Sequence, residues 1–284
     1  MNPSVEFTGG RTFGVKFEKT TDGNVEAIKK AVLAEFNTGE VDKSSLEAKT
    51  KANSYFLEIS TNYKRADEGA NELVKEKLLT GLKTVESKVG VGTITESRSV
   101  SPSVSDELLT SSMWAIILSL IVIFAYILLR FGRWQYSTGA ILAMMHDVII
   151  VLSLFALLHG ILPFNMDIDQ AFIAAILTVI GYSINDTVVV FDRIRENLSI
   201  YKGTDEKENI NKSLNSTLSR TINTSMTTFI VLLIIFIFGG AAIKGFIFAL
   251  MVGVIVGTYS SLFIATPLLV DLSKKVKIEE KEIA

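Results

Sequence analysis

The chain has 284 residues, no cysteine and a formal net charge of -2, with 49% of its residues hydrophobic and a mean hydropathy of +0.40. The missing cysteines exclude disulfides and thiolate chemistry, and without a basic tract no nucleic-acid partner is expected. Charged residues run throughout the first ~110 positions, whereas Met113 to Val270 is nearly all apolar or small, the signature of membrane spans.

The opening residues MNPSVEFTGG lack a basic n-region and an apolar h-region. No signal peptide is therefore expected there, and export of the first domain would be directed from upstream. Residues 1–105 read as an α+β domain. Phe13, Val15 and Phe17 alternate with polar neighbours in a strand entered from the Gly9-Gly10 turn. Asp22 is the expected cap of a helix with the stripe Val25, Ile28, Val32 and Phe36. A polar loop around Gly39 leads to strands near Leu46–Thr50 and Tyr55–Ser60. A second helix is expected from Lys64 to Leu82, burying Ala66, Ala70, Leu73 and Leu78, then a strand from Val91 to Val100. The order βαββαβ predicts a ferredoxin-like sandwich. No nucleophile–base set or metal-ligand spacing occurs in it, so a binding or mechanical module is expected.

Five spans follow, about Met113–Phe131, Thr138–Leu158, Ala171–Asp192, Ser219–Phe238 and Phe246–Val270. Arg130 and Arg133 lie between the first two. Arg193, Arg195, Lys202, Lys207 and Lys212 lie between the third and fourth, and Lys274, Lys275 and Lys277 follow the fifth. The alternate loops hold only Lys244. By the positive-inside rule the carboxyl terminus is cytoplasmic and the first domain lies outside. Gly253 and Gly257 form a GxxxG pair, a motif of close helix packing.

Polar groups inside the spans carry the functional signal. The third span holds Ser183, Asn185 and Asp186, and the second holds His146-Asp147. A carboxylate in lipid is by default a functional site with a partner. Asp186 precedes Arg193 by seven positions, so it lies ~10 Å below the cytoplasmic end of its helix at 1.5 Å per residue. Arg220 enters the fourth span from that side, sharing a face with Thr224, Thr227 and Thr228. An Asp186–Arg220 pair facing the bundle interior is thus the least costly arrangement. Two readings of it stand: a static pair that sets helix register, and a carboxylate whose pairing changes with proton occupancy. Arg stays charged and would act as switch and counter-ion. His146-Asp147 reads equally as a second relay element or as polar glue between helices. Asp192 reads as an interface charge beside Arg193 and Arg195. No Walker loop, HExxH or nucleophile elbow is present. An intramembrane aspartyl protease would need Asp147 and Asp186 to share one site and, in its known family, a GxGD motif, which is missing.

Several blocks are specific. EFTGGRT at 6–12, VSPSVSDEL at 100–108, LRFGRWQYSTGAILAMMHDVII at 129–150, PFNMDIDQAFIAAILTVIGYSINDTVVVFDRIRENL at 163–198 and SLNSTLSRTINTSMTT at 213–228 resemble the SecF family. SecF is the membrane subunit that acts with SecD beside the SecYEG protein-export channel. The resemblance implies a resistance-nodulation-division architecture, with a periplasmic domain on a proton-conducting bundle. It also implies that Asp186, in the SINDT-like block, and Arg220, in the SRT-like block, belong to the proton pathway. The family half has six spans, the first just before the FTGG turn where this chain begins. The carboxyl-terminal half of a fused SecDF, or a shortened SecF, is therefore expected. Glu6 stands where the family has Asp, and Ser101 where it has Gly before Pro102.

The expected molecule is a membrane α-helical bundle of five transmembrane helices with an N-terminal α+β ferredoxin-like extracytoplasmic domain. Its expected divisions are residues 1–105, a bundle over 106–272 and a charged cytoplasmic tail over 273–284. The expected function is that of a proton-motive-force-coupled accessory of Sec protein export in the bacterial inner membrane, not a catalytic enzyme. A related proton-coupled transporter of lipids or drugs is the alternative. Expected partners are SecD or a fused SecD half, SecYEG, the translocating preprotein and membrane lipid. No cofactor or metal is expected, the energy coming from a gradient of H⁺ or Na⁺. The proton-pathway residues are Asp186 and Arg220, with His146, Asp147, Ser183, Asn185 and Thr224 as accessory polar residues.

Overall fold

The Gly9-Gly10 turn opens the first strand because only glycine suits it. Their φ angles are +73° and +141°, and a Cβ on Gly10 would lie 2.4 Å from the Thr61 carbonyl oxygen. In the computed structural model, which describes residues 5–21, 23–36, 46–50, 55–64, 67–159, 161–162, 164, 166–201 and 205–273, a short helix α1 (Val5–Thr8) leads into this turn. The expected cap Asp22, the loop around Gly39, Ala66 and the tail beyond 273 lie outside the described residues.

Strands β1 (Gly10–Phe17), β2 (Leu46–Thr50), β3 (Phe56–Thr61) and β4 (Gly92–Val100) form one antiparallel sheet in the order β2-β3-β1-β4. Arg11 pairs with Thr61 and Val15 with Leu57, while a bulge between Gly14 and Val15 shifts the pairing with β4. Period-2 alternation sends Phe13, Val15, Phe17, Leu57 and Ile59 to one face. That face shares a core with Ile28, Val32 and Phe36 of α2 (Val25–Phe36) and Val74, Leu78 and Leu82 of α3 (Asn71–Lys83). A one-turn helix α4 (Glu86–Val89) precedes β4.

The second helix begins later than expected from the sequence, at Asn71 after a 3₁₀ turn over Glu68–Ala70, and Val74 rather than Leu73 is buried. Arg11 is the reason. Its guanidinium is buried and donates to the carbonyls of Tyr63 and Lys64, both at 3.1 Å, to the Asp67 carbonyl and to the Asn71 side chain. Those carbonyls face a cation instead of a helical N–H four residues on. Lys64 has a positive φ of 46°, and Asp67 accepts from the Gly69 N–H at 3.0 Å, so the chain turns before it coils.

Five helices are long and apolar enough to cross a membrane: α5 (Pro102–Phe131), α6 (Trp134–Leu158), α7 (Gln170–Ile200), α8 (Glu206–Phe238) and a fifth over Ile243–Ser273. Each extends beyond the apolar stretch that marked it in the sequence. Helix α5 starts at Pro102, the favoured first helical position, after Ser101. The fifth runs as α9 (Ala241–Ser260), relaxes into a π-helical turn over Ser261–Ala265 and resumes to residue 273.

Contacts divide the chain into two compact units. One is Met1–Met113 with Leu158–Gln170 and Gly240–Gly245; the other is Trp114–Leu157, Ala171–Gly239 and Phe246–Ala284. In the second, α9 lies against α7 through glycine. A Cβ on Gly253 would fall 2.0 Å from Val179 Cγ2, and one on Gly257 3.0 Å from Ser183 Cβ. The GxxxG pair thus serves close packing, as its spacing implied. At the end of α5, Phe131 stacks on Tyr136 at 4.9 Å and meets Phe191 edge-on at 6.1 Å. Asp192 bridges Arg130 at 3.1 Å and Arg195 at 3.0 Å.

Two outcomes follow from this packing. Arg11→Ala should destabilise the turn ahead of α3 by about 2 kcal/mol or more by removing the donor that ties the Tyr63, Lys64 and Asp67 carbonyls and the Asn71 side chain together, and Arg11→Lys should not restore it. Faster tryptic cleavage after Lys64 in both variants is the readout, and wild-type rates would contradict it. Gly253→Ala should cost about 1–3 kcal/mol by overpacking, and adding Val179→Ala should recover most of it. Thermal unfolding of the two single variants and the double variant checks this.

Candidate ion-coupling site in the helical unit

The GxxxG contact brings two helices close enough for hydroxyl side chains to reach carboxylates. Asp147, at the middle of α6, is almost fully buried. Its Oδ2 accepts from Ser183 of α7 at 2.7 Å and from Ser260 of α9 at 2.8 Å. Its Oδ1 lies 3.2 Å from His146 Nδ1. Ser183 sits beside Gly257, so the missing side chain on α9 makes room for the serine on α7. The π-helical turn begins directly after Ser260. Ser261 then shares a hydrogen bond with Thr187 of α7 at 2.8 Å, and Thr266 donates back to the Ser261 carbonyl at 3.2 Å. Such turns recur at functional positions in membrane and soluble helices alike.

Asp186 lies one turn after Ser183 on the same buried face of α7. Its Oδ2 accepts from Ser225 of α8 at 3.3 Å, and Ser225 accepts from Thr258 of α9 at 2.6 Å. Ser225 belongs to a buried stripe on α8, Ser213, Thr217, Thr221 and Ser225, spaced four residues apart. Asn197 near the end of α7 joins that stripe by donating to Ser213 at 2.7 Å.

The expected direct pair between Asp186 and Arg220 is not formed. Among the described residues no hydrogen bond or ion pair joins them, and Arg220 is exposed in this chain. The physical reason is angular. Arg220 precedes buried Thr221 by one position, and 100° of helix rotation carries it off the face that Ser225 presents to Asp186. Arg220 still acts on Asp186 electrostatically. Thr224 is likewise exposed, its hydroxyl turned to the Arg220 carbonyl at 3.0 Å, and Asn185 is exposed on α7. Of the residues singled out in the sequence, Asp186, Asp147, Ser183 and His146 are gathered inside or at the edge of the helices. Arg220, Asn185 and Thr224 remain on uncovered faces.

Comparison with known proteins shows the family. A family model described as "Protein export membrane protein SecD/SecF, C-terminal" matches residues 81–275. The chain belongs to that SecD/SecF protein-export family. The Protein translocase subunit SecF of Rhodobacter capsulatus is 37% identical over 290 aligned residues, covering 99% of this chain and 83% of the relative. That of Rhodothermus marinus is 52% identical over 179 residues, 63% of this chain and 58% of its own length. The crystal structure of SecDF, a translocon-associated membrane protein from Thermus thermophilus, superposes with a TM-score of 0.78 at 31% identity. It covers 96% of this chain, which spans 34% of the SecDF chain. The SecF resemblance carried by the EFTGGRT and SINDT blocks is therefore borne out, and this is a multi-pass membrane protein.

Sequence reasoning missed Ser225, Thr258, Ser260, Ser261 and Thr187. A serine or threonine in an apolar span reads as ordinary small-residue packing. A signal was nonetheless present, because Gly253, Gly257, Ser260 and Ser261 continue one small-residue stripe along α9. The α8 stripe of four hydroxyls was also visible, but the exposed set beginning at Arg220 drew attention to the wrong face.

Proposed function

We propose that this chain is an accessory component of Sec-type protein export, driven by an ion gradient and acting with a SecD-type partner or fused half. Its place in the SecD/SecF family supports the export role. The single observation that supports ion coupling is Asp186, a carboxylate buried within a membrane span and touched by one hydroxyl, with the Arg220 guanidinium uncovered on the adjacent helix. Ions in lipid need partners. Arg220, Thr224 and Asn185, exposed in this chain, form polar surface that an isolated membrane protein would not present to lipid. A SecD-type segment supplying a facing carboxylate would cover it.

In this reading Asp186 takes up and releases the coupling ion, H⁺ in preference to Na⁺, because among the described residues its carboxylate meets one hydroxyl, that of Ser225, fewer oxygens than a metal cation's shell needs. Arg220 keeps its charge throughout and swings between Asp186 and the partner's acid. The first unit is then a ferredoxin-like extracytoplasmic module whose motion, beside the SecYEG channel, draws the preprotein outward. The Lys and Arg bias of the loops supports a cytoplasmic carboxyl terminus, and membership of a protein-export family supports location in the bacterial inner membrane. The chemistry is transport, and no covalent catalysis is required of any residue.

The test is proton flux and secretion in vesicles carrying the complex with its SecD-type partner. Asp186→Asn should reduce proton flux to the level of empty vesicles and abolish gradient-dependent enhancement of secretion, with assembly intact. Arg220→Ala should impair the same flux, and Arg220→Lys should rescue it only in part. Undiminished flux in Asp186→Asn would sink the reading.

A further inference from the structure

The second buried acid, Asp147, has a surrounding that polar glue does not need. Its carboxylate receives Ser183 from α7, Ser260 from α9 and faces His146 Nδ1 of its own helix at 3.2 Å. Among the described residues His146 is the one ionisable side chain within hydrogen-bonding distance of it, and no lysine or arginine forms an ion pair with it. An uncompensated carboxylate in a low-dielectric interior costs several kcal/mol, so the pair is held neutral in one of two ways. Either the carboxyl keeps its proton and His146 is neutral, or the proton sits on the imidazole and the carboxylate is bare. The difference is one proton moving between Asp147 Oδ1 and His146 Nδ1. The O–H bond breaks as the N–H bond forms, and no other group is consumed.

The two members differ in access. The Asp147 side chain is 1% exposed and that of His146 32% exposed. His146 is thus the member of the pair nearer the helix surface and Asp147 the enclosed one. Its position relative to Asp186 is set by the same two helices. Ser183, which binds Asp147, and Asp186 are one turn apart on α7. Ser260, which binds Asp147, lies two residues beyond Thr258, which binds the Ser225 that donates to Asp186. The two acids are thus linked through hydroxyls carried on the same two helices, α7 and α9.

We propose that Asp147 and His146 form a second proton-holding site, coupled to Asp186 through α7 and α9, so that the helical unit carries two acids for the ion and not one. The proposal rests on the ion-coupled reading of Asp186 and extends it. It goes beyond a role as helix glue, for which Ser183 and Ser260 alone would satisfy a permanently neutral side chain.

The experiment measures proton flux in vesicles of the complex for four variants beside wild type. Asp147→Asn retains an acceptor for both serines but cannot hold a proton; its flux should fall by about tenfold or more. His146→Gln keeps a hydrogen-bond donor to Asp147 and should lower flux by about fivefold or more. Because His146 is partly exposed, this variant decides the question if Asp147→Asn does not assemble. Ser260→Ala should lower thermal stability and slow flux less than Asp147→Asn does. Asp186→Asn separates the two ideas. If it loses flux while Asp147→Asn and His146→Gln keep wild-type flux, the second site is overturned and the Asp186 reading stands. If all three keep wild-type flux, the ion-coupled reading fails together with this one.

Discussion

Where α9 crosses α7, glycine leaves so little between the backbones that Val179 and Ser183 occupy the space a side chain on Gly253 or Gly257 would need. Helices with ordinary side chains pack about 8–10 Å apart, too far for a serine on one to serve an acid that lies beyond the other. Here the approach is closer, and the short hydroxyls of Ser183, Thr258, Ser260 and Ser261 become effective donors across α6, α7, α8 and α9. The π-helical turn completes this. By widening the helix after Ser260, it lets two consecutive serines serve different neighbours, Asp147 on α6 and Thr187 on α7.

The two acids held in this way have different surroundings, and the difference bears on what each can do. Asp147 has two hydroxyl donors and an imidazole, and is buried among the helices that supply them. Asp186 has one hydroxyl and an arginine that acts from a neighbouring face without touching it. Asp147 faces an imidazole with which it can share a proton, while Asp186, with a single neutral donor and a cation in reserve, can exchange partners. The exposed position of Arg220 is thus informative in itself. A guanidinium locked against Asp186 would have no freedom to answer a partner chain.

The first unit depends on one cation as well, used in a different way. Arg11 follows directly on the Gly9-Gly10 turn and sends its side chain under the 61–71 segment, where backbone carbonyls converge on it. Its charge is compensated by dipoles and not by an ion pair. A structural arginine of this kind sets where α3 begins, and so which residues of α3 reach the sheet. The EFTGGRT block that identified the family in the sequence owes its residue types to this geometry: two glycines for a turn no other residue fits, and an arginine for the carbonyls beyond.

The sequence by itself determined the elements. Apolar length set the five spans, period-2 alternation set β1, and the 3.6-residue stripe set α2, with Ile28, Val32 and Phe36 buried as expected and Val25 partly so. It also singled out Asp186, Asp147, His146 and Ser183, because charge within an apolar run is conspicuous whatever the fold. The tertiary structure alone decided which groups those acids meet. Pairing of Asp186 with Ser225 and not with Arg220 depends on the rotation of α8 about its axis, which packing sets and local periodicity does not. The start of α3 and the inward turn of Ser260 were hidden for a related reason. Each follows from a contact made by a distant residue, Arg11 in one case and the α7 backbone beside Gly253 and Gly257 in the other. Local sequence encodes which helix a residue belongs to, and only packing fixes the side of that helix on which its chemistry is used.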